Sequence, residues 1–159
     1  FIGRLPSIPA ATRSERVGKL IRLFGLEAAA DSRLESYSKG MKQKVALAGT
    51  LIHDPRLLIL DEPTTALDPR HARTVKDLIL ELNSRGKTIL LSTHILGVVE
   101  ELCTHVGIIH EGRLVHCSTM DEVRRMRRRT GKGRGAGSLE EMFLSLTGGD
   151  TGRPVLDWR

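Results

Sequence analysis

Leu57-Leu58-Ile59-Leu60-Asp61-Glu62-Pro63 is the stretch on which the reading of this chain turns. Four aliphatic residues in a row, bounded by charge, are the pattern of a strand buried on both faces, as in a parallel sheet with helices on either side. Pro63 stops the run. The strand therefore delivers two adjacent carboxylates to its carboxyl end. Successive strand side chains point in opposite directions, so Glu62 is not expected to duplicate the contacts of Asp61. A proline restricts the residue before it, which predicts an extended Glu62 with its carboxylate aimed outward.

Upstream of this strand, Val45, Ala48, Leu51 and Ile52 share one face of a predicted helix over 41–53, ended by Asp54-Pro55. Before that, Thr12 and Glu15 predict a capping box. Val17, Leu20, Ile21 and Phe24 then recur at i, i+3, i+4 and i+7 until Gly25 stops the helix. Downstream, Val75, Leu78, Ile79 and Leu82 mark a helix over 70–84 with Gly86 as terminator, and 88–92 reads as a second buried strand. Residues 95–103 continue as helix. Residues 106–109 and 113–115 read as two short strands around a tight Glu111-Gly112 turn. Thr119 with Glu122 and Ser138 with Glu141 predict caps of two last helices, and the Gly/Arg/Lys-rich stretch 129–137 between them is expected to be a mobile loop. Strands alternating with helices argue for an α/β layered domain whose ligands gather beyond the carboxyl ends of the strands.

Composition narrows the function. With 159 residues, 40% apolar and 28% charged, the chain reads as one soluble domain or a large piece of one. It opens on Phe1 rather than Met, and a piece of a longer protein is expected. No apolar run approaches the roughly 20 residues of a membrane-spanning helix, and no charged-then-apolar leader opens the chain, so it is cytosolic in character. Cys103 and Cys117 lack the spacing of a zinc site and read as reduced thiols. The net charge of +6 invites a nucleic-acid reading, but much of the excess lies in the arginines and lysines of 124–134, and aromatics are only 3%. No base-stacking platform or DNA-binding motif follows, and no nucleic-acid partner is expected.

The strand-end carboxylates suit phosphate chemistry. Mg²⁺ takes one or two carboxylates with phosphate oxygens and water, which fits Asp61, directly or through water, and leaves Glu62 to act as a base. Tyr37-Ser38-Lys39-Gly40-Met41-Lys42-Gln43 precedes the helix over 41–53, so Ser38 and the exposed N–H groups of the first turn form an anion site aided by the helix dipole. Gly86-Lys87-Thr88 does not make a P-loop. Glu81 stands where that motif needs glycine, and here a helix precedes a strand.

On these residues the chain resembles the nucleotide-binding domain of ABC ATPases over roughly 1–148. Residues 57–62 look like the Walker B strand with its catalytic glutamate, and Thr64-Thr65-Ala66-Leu67-Asp68 matches the D-loop. Residues 37–43 are similar to the signature loop usually written LSGGQ, keeping Ser38 and Gly40 but carrying Tyr37, Lys39 and Met41 in place of Leu, Gly and Gln. His94 resembles the switch histidine.

The resemblance implies an α/β, P-loop NTPase-type layered domain present in part, a parallel sheet core with part of the ABC helical subdomain. Segments 1–53, 54–118 and 119–159 would be the helical subdomain with the signature loop, the catalytic core, and C-terminal helices with a tail. ATP and Mg²⁺ are the implied cofactors. Glu62 and His94 would be catalytic, Asp61 would serve Mg²⁺, Ser38 and Gly40 would bind nucleotide in trans, and Asp68 would couple two sites across a dimer seam. The implied partners are a second nucleotide-binding domain, paired head to tail, and membrane permease subunits that hold the chain at the cytoplasmic face. The whole subunit would hydrolyse ATP for transport, with export expected. This chain lacks a P-loop, so it is not expected to hydrolyse ATP alone or to cover its apolar sheet faces. Two alternatives stay open: a soluble ABC-type ATPase acting on ribosomes or DNA, and a non-catalytic regulatory piece.

Overall fold

The structure, a computed structural model, describes residues 8–129 and 139–148. The chain divides into two compact units at the boundary between His94 and Ile95.

In the first unit, α1 (Ala10–Leu23), α2 (Lys39–Leu51), β1 (Leu57–Asp61), α3 (Pro69–Ser84) and β2 (Thr88–Ser92) follow one another, with two 3₁₀ turns between α1 and α2. The helix α1 starts earlier than its expected capping box. Pro9 is the N-cap, with φ −55° and ψ 143° and no side-chain cap, and its carbonyl accepts from Arg13 N at 2.9 Å. The pyrrolidine ring presets the φ that a helix entry needs, so no Thr12 cap forms. Glu15 instead pairs with Lys19 one turn on, at 2.6 Å. Both glycine stops form as expected. Gly25 (φ +61°) and Gly86 (φ +81°) donate to Arg22 O and Asn83 O, while Leu26 and Lys87 donate to Ile21 O and Leu82 O. These are paired Schellman bonds, which need a left-handed residue just past the helix.

β1 and β2 pair in parallel, Leu57 opposite Thr88 through Asp61 opposite Ser92, with α3 as the crossover. Leu58 and Leu60 are buried with Leu47 of α2 and with Val75 and Ile79 of α3. The expectation of two buried faces is corrected: Leu57, Ile59 and Leu90 are 52%, 67% and 61% exposed. Among the described residues only one layer of helices covers this two-stranded sheet, so the strands alternate between inside and outside. A second buried knot, Phe24, Leu26 and Tyr37, sits between α1 and α2, where the Tyr37 hydroxyl donates to Ala29 O at 2.5 Å.

The second unit holds α4 (Leu96–Leu102), the antiparallel pair β3 (His105–His110) and β4 (Arg113–Thr119), α5 (Met120–Arg129) and α6 (Leu139–Thr147). The Glu111-Gly112 turn carries φ +49° and +74°, the double positive φ that a two-residue hairpin requires. β4 runs four residues beyond the expected 113–115 and hands over directly to α5. There the predicted capping box forms: Thr119 N donates to Glu122 Oε2 at 2.8 Å, and Glu122 N donates to Thr119 Oγ1 at 3.2 Å. Val99, Val106, Met120, Val123 and Leu139 make its core. The basic residues from Arg124 to Arg129 belong to α5, so the helix extends to the first position of the expected 129–137 loop, and Arg124 pairs with Asp121 at 3.1 Å. Residues 130–138, including the rest of the expected loop and the Ser138 cap, lie outside the described residues.

Candidate functional site at the end of the parallel strands

The carboxyl ends of β1 and β2 present their side chains at the same level, because the parallel register puts Asp61 opposite Ser92. The Ser92 hydroxyl donates to Asp61 Oδ1. Glu62 N donates to Ser92 O at 3.0 Å, which carries the pairing one residue past the strand. The backbone then turns: Glu62 has φ +46°, so the expected extended conformation is corrected to a left-handed one. The turn from Glu62 through Pro63 to Thr65 overrides the local bias of the residue before proline, and it closes with Thr65 N donating to Glu62 O at 3.1 Å. A non-glycine residue held at positive φ costs of order 1–3 kcal/mol and occurs where surrounding contacts fix it.

Those contacts are specific. Glu62 Oε1 accepts from His94 N at 3.0 Å and lies 2.7 Å from His94 Nδ1. Oε2 accepts from the hydroxyls of Thr65 at 2.9 Å and Thr93 at 3.2 Å. The His94 imidazole, followed by the Thr65 hydroxyl, holds the Glu62 carboxyl below its ordinary range against the opposing effect of desolvation. Beside an ionised Glu62, Nδ1 carries the proton, an assignment made from the bonding pattern. The imidazole is 75% exposed and the Glu62 side chain 32%, so the pair opens to solvent.

The residues expected to form an anion site lie at the start of α2. Ser38 is its N-cap and accepts from Met41 N at 3.2 Å. A capping hydroxyl keeps its own O–H free to donate outward. Gly40 has a nearer reason to be glycine: a Cβ there would lie 2.8 Å from the Ala66 carbonyl oxygen, so the first turn of α2 packs directly on the loop after β1. Gln43 Nε2 reaches Glu62 O at 3.4 Å from the same helix. Asp68 sits at the end of that loop as the N-cap of α3, accepting from His71 N at 3.1 Å and pairing with His71 Nδ1 at 2.6 Å. His71 first, through its side chain and then its main chain, keeps the Asp68 carboxyl below its usual range.

The structure thus brings Asp61, Glu62 and His94 to one strand end, and α2 with Gly40 against the 64–68 loop. Thr65, Thr93, Gln43 and His71 were not assigned roles by sequence. For Thr65 a signal existed: proline at the second position of a turn, with a hydroxyl residue closing it. Among the described residues no group of three or more His, Cys, Asp or Glu side chains could cage a metal ion. The donor set at Asp61 still fits Mg²⁺, which takes few protein oxygens and fills its sphere with phosphate and water.

Residues 6–65 match the family described as ABC transporter. The fluoroquinolones export ATP-binding protein of Mycobacterium tuberculosis is 43% identical over 113 residues, 70% of this chain and 38% of that protein. The methionine import ATP-binding protein MetN 3 of Pectobacterium atrosepticum is 41% identical over 120 residues, 75% and 35%. A solved ATP-binding subunit of an ABC transporter matches with TM-score 0.75 and 38% identity over 88% of this chain and 56% of that one. The dimeric, post-hydrolysis structure of an ATP-binding cassette bound to ADP and Pi matches with TM-score 0.65 and 25% identity, over 72% and 50%. The chain spans 35% of the length of one of its curated relatives and 50% of another. By sequence and by fold, the chain is homologous to ATP-binding proteins of ABC transporters, with that family's model matching over residues 6–65.

Proposed function

We propose that the subunit containing these residues hydrolyses ATP and couples the cycle to transport across a membrane, in the outward direction. The Glu62–His94 pair, 2.7 Å apart at the end of two parallel strands, carries this reading. Glu62 is the base that accepts a proton from the attacking water, and His94 orients that water and reaches the terminal phosphate. For the imidazole to make that contact through Nδ1–H it must release Glu62 Oε1, which frees the same oxygen to take the proton. Asp61 holds Mg²⁺, directly or through water. Magnesium, when bound, neutralises charge that develops on the phosphate oxygens.

Ser38 and the N–H groups at the start of α2, with Gly40 giving close approach, meet the ATP held by a second nucleotide-binding domain paired head to tail. Asp68 lies at that seam. Similarity to a dimeric cassette supports the pairing. Membrane permease subunits are the other partners, docked on residues 1–53 at the cytoplasmic face. The described residues contain no helix long and apolar enough to cross a membrane. The relatives' names point both ways, to fluoroquinolone and Nod factor export and to methionine import, and the outward direction rests on the export-type names. The 159 residues alone do not hydrolyse ATP, since no phosphate-cradling G-x-x-x-x-G-K-[ST] occurs in them.

The test uses the full subunit with its permease in inside-out vesicles. Glu62→Gln is expected to lower ATP turnover about 100-fold or more while ATP still binds, as loss of a general base does. ATP-driven uptake of a fluoroquinolone into those vesicles supports export. Wild-type turnover by Glu62→Gln, or by the purified 159-residue chain, would overturn the respective assignment.

A further inference from the structure

The two oxygens of Glu62 are held by different kinds of group. Oε1 faces the main-chain N–H and the imidazole of His94, at 3.0 and 2.7 Å. Oε2 accepts hydroxyls, with Thr65 the nearer at 2.9 Å. Thr65 also donates its main-chain N–H to Glu62 O at 3.1 Å. One residue therefore ties both ends of Glu62, the carbonyl through its N–H and the carboxylate through its hydroxyl. This double tie acts on a residue whose φ of +46° takes it off the line of β1, where the strand no longer dictates the direction of the side chain.

We infer that Thr65 is a positioning residue for hydrolysis: by anchoring Oε2 it turns Oε1 toward the water. The inference rests on the reading of Glu62 as base. In that step one water proton passes to Oε1, the water oxygen forms a bond to phosphorus, and the bond between phosphorus and the departing ADP oxygen breaks. The His94 imidazole must leave Oε1 for this to happen, which leaves that oxygen only the main-chain N–H of His94, so the hydroxyl anchors on Oε2 carry the aim of the carboxylate. Thr93 donates to Oε2 as well, at 3.2 Å, but it adjoins His94 in the chain, and its substitution would disturb the switch directly. Thr65 lies in the loop after β1, three residues beyond Glu62, and its hydroxyl reaches the base.

The experiment compares Thr65→Val, close in shape but lacking the hydroxyl, with Thr65→Ser, which keeps it, in the full-length subunit, with Glu62→Gln alongside. Thr65→Val is expected to lower kcat roughly tenfold, with KM for ATP nearly unchanged, as misplacement of a reacting group does. Thr65→Ser should restore kcat. A Thr65→Val enzyme with wild-type kcat overturns the inference, as does a Thr65→Ser enzyme damaged as much as Thr65→Val. If Glu62→Gln itself keeps its turnover, the base assignment falls. If Glu62→Gln is inactive and Thr65→Val retains wild-type turnover, only the role of Thr65 falls. Should Thr65→Val fail to fold, Thr65→Ala against Thr65→Ser makes the same comparison.

Discussion

At the residue scale, Glu62 and His94 form a pair whose charge state is set by geometry. The imidazole is the largest influence holding the Glu62 carboxyl low, so His94→Ala should move the Glu62 titration, followed by carboxyl NMR, up toward the ordinary value. An unchanged titration would mean that the pair does not persist in solution. The direction of the stability effect follows. A carboxyl whose folded pKa is depressed stabilises the native state at pH above its unfolded value of about 4.3, and that contribution is lost as pH falls through the folded value. The Glu62 carboxyl therefore adds nothing pH-dependent between about pH 5 and 8, and its release from His94 in His94→Ala should flatten the acid end of the stability curve. Thr93 was hidden from sequence reading because a hydroxyl residue beside a motif is ordinary, whereas the turn that Thr65 closes after Pro63 left a signal; what marks both is their distance from one oxygen.

At the scale of elements, two glycines that look alike in sequence do different work. Gly86 ends α3 at φ +81°, and a Cβ added there would meet nothing within 4 Å, so its need for glycine is purely conformational. Gly86→Ala should cost about 1–2 kcal/mol in urea denaturation, the penalty of a left-handed alanine. Gly40 lies inside α2, where alanine has no conformational penalty, yet its Cβ would meet the Ala66 carbonyl oxygen at 2.8 Å. Gly40→Ala should cost about 1–3 kcal/mol by overpacking against backbone that cannot rotate away. If Gly40→Ala is neutral in the same measurement, α2 and the 64–68 loop are not packed as described. Helix periodicity, both Schellman stops, the hairpin turn and the Thr119–Glu122 box were legible because each depends on residues a few positions apart. The start of α1 was misplaced because two valid entry signals compete there, and the proline at position 9 outweighs Thr12.

At the scale of the whole molecule, the outer face of the β1–β2 sheet exposes Leu57, Ile59 and Leu90. Exposed apolar patches of this kind drive association. Ile59→Thr with Leu90→Thr should reduce light scattering by the purified chain at a given concentration, with a melting temperature shifted little, because neither side chain is buried within it. Scattering that stays the same would show that this face is not what associates. The uninterrupted run 57–60 suggested burial on both sides, and only the layering of the folded chain decides how many sides are covered.

By itself the sequence determined the order of helices and strands, their local stops, the strand-end carboxylates and the family that the chain resembles. All of these follow from hydrophobic period, capping chemistry and short motifs, which act over a few residues. Only the tertiary structure decided that β1 pairs with β2 in the register that brings His94 and Thr93 to Glu62, that Glu62 turns left-handed, and that Gly40 meets Ala66. The Glu62–His94 contact spans 32 positions of chain, and such a separation is closed by packing an apolar crossover helix on two strands. That packing burdens no single residue with a signature that could be read in advance, so the carboxylate at the strand end was legible and the means by which it is held was not.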